Sequence, residues 1–120
     1  MRSDVLIADE NLTQRVLVRE IIRSIGMTSA EVSDAEEAEK YCAEKKPAAC
    51  IISGNLPGWN RDLVRKIKAL SPETKIILAT EQNDSILSVM DAISSGAERN
   101  YLTKPYISDE VENVIEKVIR

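Results

Sequence analysis

The sequence predicts an α/β fold in which helices cover both faces of a parallel sheet. Short apolar runs alternate with amphipathic stretches from end to end, and five strand–helix units follow one another. Because parallel crossovers are right-handed, such a succession produces a sheet that is covered on both faces. A length of 120 residues, of which 43% are apolar, matches one domain with one core. We therefore expect a single domain over residues 1–120.

Apolar runs predict the strands, and apolar residues at helical spacing predict the helices. Ser33 and Glu36 form a capping-box pattern that opens the second helix, which ends before Pro47. Ser108 is predicted to cap the last helix. The predicted strands cover 5–8, 28–32, 48–52, 75–80 and 99–103, and the other four helices cover 12–25, 62–70, 84–95 and 108–120.

Strand composition predicts the order of the strands in the sheet. The first, third and fourth strands are nearly pure apolar runs, as expected of central parallel strands, whereas the second and fifth are mixed, as expected of edges. The order 2-1-3-4-5 places the mixed strands at the two edges. This is the flavodoxin-like (βα)5 doubly wound arrangement.

Composition also narrows the function classes. Charged residues make up 30% of the chain with a net charge of -4, which argues against a nucleic-acid-binding surface. Histidine is absent, so the commonest general base is missing. Cys42 and Cys50 lack zinc spacing and are expected to be buried apolar residues. No stretch has the length of a membrane span or the pattern of a leader peptide, so we expect a cytoplasmic protein without membrane contact.

The ligand crevice of such a sheet lies beyond the carboxyl ends of the strands, where the winding reverses. Asp9 and Glu10 follow the first strand and Ser53 follows the third. Thr80 follows the fourth strand and Lys104 the fifth. We therefore expect two acids, two hydroxyls and one ammonium to share a crevice, with Lys104 in a salt bridge to one of the acids and Ser53 hydrogen-bonded to Lys104 or Thr80.

Four stretches at or beside these strand ends carry a family resemblance: Val5-Leu6-Ile7-Ala8-Asp9-Glu10, Asn55-Leu56-Pro57-Gly58, Ile77-Leu78-Ala79-Thr80, and Gly96-Ala97 running on to Tyr101-Leu102-Thr103-Lys104-Pro105-Tyr106. In these stretches the chain resembles the receiver domains of response regulators in two-component signalling. The resemblance implies that the acids at Asp9 and Glu10 hold a magnesium ion. It implies that Thr80 and Lys104 contact the transferred phosphoryl group, and that Tyr101 turns inward on activation.

The chain departs from this family at the phosphate-accepting residue. The family's aspartate stands four residues before the loop proline, and Ser53 stands four residues before Pro57. A serine hydroxyl is a poor nucleophile without an adjacent base. Its neutrality also removes a metal ligand, so no cofactor is required and any magnesium site is weak. The loop that holds Trp59 is about one residue shorter than usual, and we expect it to be reshaped.

These observations predict a degenerate receiver: a regulatory, protein-binding module that is neither an enzyme nor a phosphoacceptor. One alternative is a receiver still modified at Asp9 or Glu10, or at Ser53 by a kinase. A more distant alternative is a flavodoxin-type cofactor binder, although the acids after the first strand would repel phosphate.

The resemblance implies protein partners on the face formed by helix four, strand five and helix five, with homodimerisation left open. Tyr101 and Tyr106 are the expected interaction residues. Ile86, Met90 and Ile93 form an apolar stripe on helix four that we expect to face the core.

Overall fold

Five strands and five helices alternate along the chain, as predicted. The computed structural model describes residues 4–81 and 86–119. Within these ranges the strands are β1 (Val5–Ala8), β2 (Ser29–Val32), β3 (Ala49–Ser53), β4 (Lys75–Glu81) and β5 (Leu102–Lys104), and the helices are α1 (Leu12–Ser24), α2 (Ala35–Lys45), α3 (Leu63–Leu70), α4 (Ile86–Ser94) and α5 (Ser108–Ile119).

The sheet is parallel throughout, in the order β2-β1-β3-β4-β5. The predicted fold class and strand order are therefore confirmed. In the register, Ala8 pairs with Ile52 of β3, and Ser53 pairs with Ala79 of β4. This register brings the carboxyl ends of the three central strands to one edge of the sheet, as the site prediction requires.

Alternate side chains of the central strands belong to two apolar clusters, one on each face of the sheet. Leu6 and Cys50 belong to the cluster beneath α2, α3 and α4, whereas Ile7 and Ile51 belong to the cluster beneath α1 and α5. Cys42 and Cys50 are both buried thiols without a disulfide, as expected. Within the described residues, no helix is both long and apolar enough to cross a membrane.

The start of α2 differs from the predicted capping box. The cap is Asp34, whose carboxylate accepts a hydrogen bond from the Glu37 backbone N–H at 2.8 Å. An aspartate also gains from the positive end of the helix dipole. The Ser33 hydroxyl instead donates to the Glu37 side chain at 3.1 Å. The last helix begins at Ser108 itself, so that residue lies inside α5 instead of capping it.

The apolar stripe predicted to face the core from α4 is the second correction. Ile86 is 60% exposed and Met90 is 56% exposed, and only Ile93 packs partly against the core. The buried residues of α4 are the smaller Val89 and Ala92. Because α4 is apolar on both sides, helical spacing alone did not distinguish the packed face from the exposed one. The predicted first turn at 84–85 lies outside the described residues.

Strand five is shorter than predicted and begins at Leu102, which pairs with Ala79. Arg99, Asn100 and Tyr101 precede it outside the sheet, with a bend at Arg99. Tyr101 is therefore not a strand residue, and it is partly exposed at the edge of the sheet.

Candidate functional site

Ser53 is the last residue of β3 and is fully buried. Its hydroxyl oxygen accepts hydrogen bonds from the Lys104 ammonium at 2.8 Å and from the Asn55 backbone N–H at 3.2 Å. The Gly54 N–H still donates to the carbonyl of Ala79 on β4, and the chain turns at Gly54 and Asn55. Ser53 is thus held at the floor of the predicted crevice by side-chain and backbone donors together.

The loop that follows Ser53 is tied to the start of α2. The Pro57 carbonyl accepts from the Ala35 N–H at 2.8 Å. Gly58 has a φ of +85°, and a Cβ there would lie 3.1 Å from the Cβ of Ala35. Glycine therefore suits this position both for its backbone conformation and for the close approach. Trp59, which follows, packs partly against the core beneath α2 and α3.

Asp9 follows β1 and is fully buried, with both carboxylate oxygens engaged. Its Oδ1 accepts from the Asn11 N–H at 2.9 Å, in a turn that leads into α1. Its backbone carbonyl accepts from Arg15 Nη1 at 2.7 Å, and Arg15 Nε pairs with Glu31 at 3.3 Å. These contacts fix the orientation of Asp9 from the neighbouring helix and from the edge strand.

Lys104, at the end of β5, is buried beside both acids. Its Nζ lies 2.9 Å from Asp9 Oδ2 and 3.5 Å from Glu10 Oε2, in addition to its bond to Ser53. The predicted salt bridge is therefore present, and it joins Lys104 to both carboxylates. Lys104 and Thr80 were the two expected partners of the Ser53 hydroxyl, and the structure shows the bond to Lys104. The Lys104–Pro105 peptide bond is cis.

Tyr106 is the site residue that the sequence reasoning placed wrongly. It is buried in the cluster beneath α1 and α5, and it is not exposed for a partner. Its hydroxyl donates to Asp9 Oδ2 at 3.0 Å. Burial raises the pKa of the Tyr106 phenol well above its usual value, and the nearby negative charge of Asp9 adds to this shift. Tyr106 is therefore a neutral hydrogen-bond donor in the folded protein.

Thr80 and Tyr101 are the two remaining residues to which the resemblance assigns a role. Thr80 lies within β4, is buried and pairs in register with Thr103. It borders the crevice one residue beyond the Ala79 that pairs with Ser53. Tyr101 lies outside the pocket in a partly exposed position. The roles implied for these residues stay predictions.

Glu10 is the acid on the open side of the pocket, with 31% of its side chain exposed. Partial burial alone would raise its pKa. Hydrogen bonds from its own backbone N–H and from Ser53, together with the charge of Lys104, outweigh burial, so the pKa of Glu10 lies below its ordinary value. A carboxylate with a lowered pKa is a weak base. Glu10 is therefore poorly suited to activate the Ser53 hydroxyl as a nucleophile.

Magnesium requires several oxygen ligands that can turn toward it. Asp9 Oδ2 already accepts from Lys104 and Tyr106, and the neutral Ser53 hydroxyl replaces a third carboxylate. Across residues 4–81 and 86–119, no three His, Cys, Asp or Glu side chains gather in a group that could hold a metal ion. Of the two acids that pair with Lys104, Glu10 is the one with a partly open carboxylate. The donor set in this arrangement does not fit a divalent cation, because the Lys104 ammonium supplies the positive charge there instead.

Comparison with known proteins agrees with the fold. The model of the response regulator receiver domain family matches residues 5–116. The chain belongs to this family, whose members are signalling modules of two-component systems.

Similar proteins include sporulation initiation phosphotransferase F of Bacillus subtilis, 20% identical over 99% of this chain and 95% of the relative. The transcriptional regulator NtrC of Azospirillum brasilense is 26% identical over 96% of this chain, which spans only 24% of that relative. Among solved structures, the beryllofluoride-activated NtrC4 receiver domain dimer superposes with a TM-score of 0.86, at 22% identity over 96% of this chain and 94% of the other.

Proposed function

We propose that this receiver domain acts without phosphorylation, as a protein-binding regulatory module of a two-component or phosphorelay system in the cytoplasm. The observation that carries the proposal is the 2.8 Å bond from Lys104 to the Ser53 hydroxyl. In the family the lysine contacts a phosphoryl group carried by an aspartate. Here it is engaged with a neutral, buried oxygen and with two carboxylates, so the ammonium already offsets part of the negative charge of the pocket in its unmodified state.

The chemistry of the pocket supports this proposal over phosphoryl transfer. Ser53 is fully buried, and both of its observed donors point at the oxygen that would have to attack. The same burial disfavours modification of Ser53 by a kinase, which would need the hydroxyl exposed. Asp9 is equally buried, and each of its carboxylate oxygens accepts a hydrogen bond. A labile phosphoryl adduct on this domain would therefore require the network to open first.

The flavodoxin-type alternative is less well supported. The cleft beside the pocket has a volume of about 160 Å³ and is bordered by Glu10, Asn11, Gln14, Glu81, Lys104 and Pro105. Ligand sites usually have volumes of roughly 300–1,000 Å³. Acidic side chains at the start of α1 also oppose a phosphate group at that helix terminus.

Fluoroberyllate, a non-covalent mimic of the phosphoryl group, tests the proposal directly. Since the mimic needs an anionic oxygen and a metal ion, we expect no change in Trp59 fluorescence when beryllium, fluoride and magnesium are added together. A receiver domain that retains the aspartate, carrying a tryptophan at the matching loop position, is the positive control. A saturable change in this chain would count against the proposal.

For the partner surface we propose the face formed by α4, β5 and α5. Its exposed apolar residues support this assignment, because an apolar patch rimmed by polar groups is typical of an interaction site. The NtrC4 receiver is a dimer when activated, which makes a second copy one candidate partner. Among the described residues, five large apolar side chains on or next to these elements are exposed: Ile86, Leu87, Met90, Tyr101 and Ile107.

Sedimentation velocity over a range of concentrations tests the homodimer. If the α4 face self-associates, Leu87→Glu abolishes the dimer because a charge is placed in the apolar contact. Leu12→Glu is the matched control, since Leu12 is equally exposed but lies at the start of α1. If the dimer persists in Leu87→Glu, or if Leu12→Glu disrupts it equally, the interface does not lie on the α4 face.

A further inference from the structure

The Asp9 carboxylate is the group on which a divalent cation in this pocket would depend. It lies at the junction of β1 and α1, and it is held from three directions. Its Oδ1 accepts one backbone bond from Asn11, and its Oδ2 accepts from the Lys104 ammonium and the Tyr106 hydroxyl. Both acceptor sites of Oδ2 are therefore occupied, so a metal ion can ligate this oxygen only by displacing Lys104 or Tyr106.

We propose that the Tyr106 hydroxyl is a positioning group that competes with any divalent cation for Asp9 Oδ2 and so weakens metal binding in the pocket. This inference deepens the proposed function, because it names a residue that maintains the unmodified pocket. Lys104 is the other donor to Oδ2, but it also donates to Ser53 and pairs with Glu10. Tyr106 makes no other side-chain hydrogen bond among those resolved in the described residues, so its effect on Asp9 can be isolated.

The phenol is well placed for this role. Its ring is packed in the apolar cluster beneath α1 and α5, which fixes its direction. A buried hydroxyl that lost its acceptor would be left unsatisfied, and such a group is costly in an apolar environment. Displacement of Tyr106 from Asp9 by a metal therefore carries a penalty that phenylalanine at the same position would not impose. Phenylalanine would fill the same space without holding Asp9.

Direct binding of manganese, used alone without any phosphate donor, tests this inference. Ser53→Asp supplies a third carboxylate, and free Mn²⁺ is followed by electron paramagnetic resonance in this variant and in Ser53→Asp/Tyr106→Phe. A hydrogen bond to a charged group corresponds to roughly tenfold in an equilibrium constant. Because Lys104 still holds the same oxygen, we expect at least about threefold tighter binding in the double variant.

The matched control is Ser53→Asp/Tyr41→Phe, which removes a hydroxyl from a tyrosine on α2 in the other apolar cluster. It should bind Mn²⁺ like Ser53→Asp alone. A gain below threefold for Tyr106→Phe, or the same gain for Tyr41→Phe, would overturn the inference.

If the double variants do not fold, the comparison is made between the natural chain and Tyr106→Phe. Paramagnetic broadening of the amide resonances around Asp9 reports the weak binding expected in that background. The broadening should appear at a lower Mn²⁺ concentration in Tyr106→Phe, and equal concentrations would overturn the inference. These measurements contain no phosphodonor, so they test only the role of Tyr106. Phosphorylation-independent action is tested separately, with fluoroberyllate and with acetyl phosphate.

Discussion

Replacement of Lys104 by methionine is the perturbation whose effect follows most directly from the pocket. Methionine fills a similar volume and removes only the charge and its hydrogen bonds. At an effective dielectric near 20, the attraction of Lys104 to Asp9 at 2.9 Å is about 6 kcal/mol, and that to Glu10 at 3.5 Å is about 5 kcal/mol. The desolvation of buried charges offsets much of this sum. The loss of one partner from such a pair still costs about 3–5 kcal/mol, because the remaining charge is buried without compensation.

Urea unfolding at neutral pH measures this cost as the change in the free energy of unfolding. Lys66→Met, at an exposed position of α3, is the control and should change it by less than about 0.5 kcal/mol. The double variant Asp9→Asn/Lys104→Met should recover part of the loss, since the buried carboxylate is then neutral. A loss below about 1 kcal/mol for Lys104→Met would refute the idea that the ammonium stabilises the buried carboxylate of Asp9.

Three further predictions follow from the same contacts. Ser53→Asp makes the pocket more negative, whereas Ser53→Asn adds a side chain of the same size without a charge. In urea unfolding without divalent cations, Ser53→Asp should therefore destabilise the fold by about 1–3 kcal/mol more than Ser53→Asn. Equal losses of stability would contradict this. Tyr106 has a raised pKa when folded, so its contribution to stability is present below about pH 10 and lost as the pH rises above it. Tyr106→Phe should therefore flatten the alkaline decline in stability, and an unchanged slope would argue against a neutral buried phenol. Gly58→Ala and Gly26→Ala both place alanine at positive φ, at a cost of about 1 kcal/mol each. Only Gly58→Ala adds a close contact, so thermal melting should show it to be the more destabilising, and equal shifts would contradict the packing.

Much of the fold could be predicted because its signals are local and repeated. The apolar runs of β1, β3 and β4 could only be buried central strands, and their burial in the structure is nearly complete. The boundaries were less predictable. Residues 99–101 resemble a strand in composition, but pairing with β4 begins only at Leu102, and pairing depends on a neighbour distant in sequence.

The pocket could be assembled from the sequence wherever a strand end fixes a side chain. Asp9, Ser53 and Lys104 meet because parallel strands end at the same edge of the sheet. Tyr106 lies two residues beyond β5, where the direction of a side chain is set by packing and not by strand alternation. The presence of buried acids nearby was a usable signal, because a buried tyrosine hydroxyl needs an acceptor.

Helical spacing did not show which apolar face of α4 packs against the sheet. Val89 and Ala92 define one apolar face, while Ile86 and Met90 define another, and larger side chains seemed the better candidates for the core. The structure packs the smaller pair against β4. Close approach of a helix to a sheet favours small side chains at the contact, so size was a misleading guide here.

The most direct test of the central idea is the intact mass of the protein after incubation with acetyl phosphate and magnesium. A receiver domain that retains the aspartate is treated in parallel and should gain a phosphoryl group that hydroxylamine removes. Because Ser53 offers a neutral oxygen already bonded to Lys104, this protein should keep its original mass. A hydroxylamine-sensitive increase of one phosphoryl group in this chain would contradict the account.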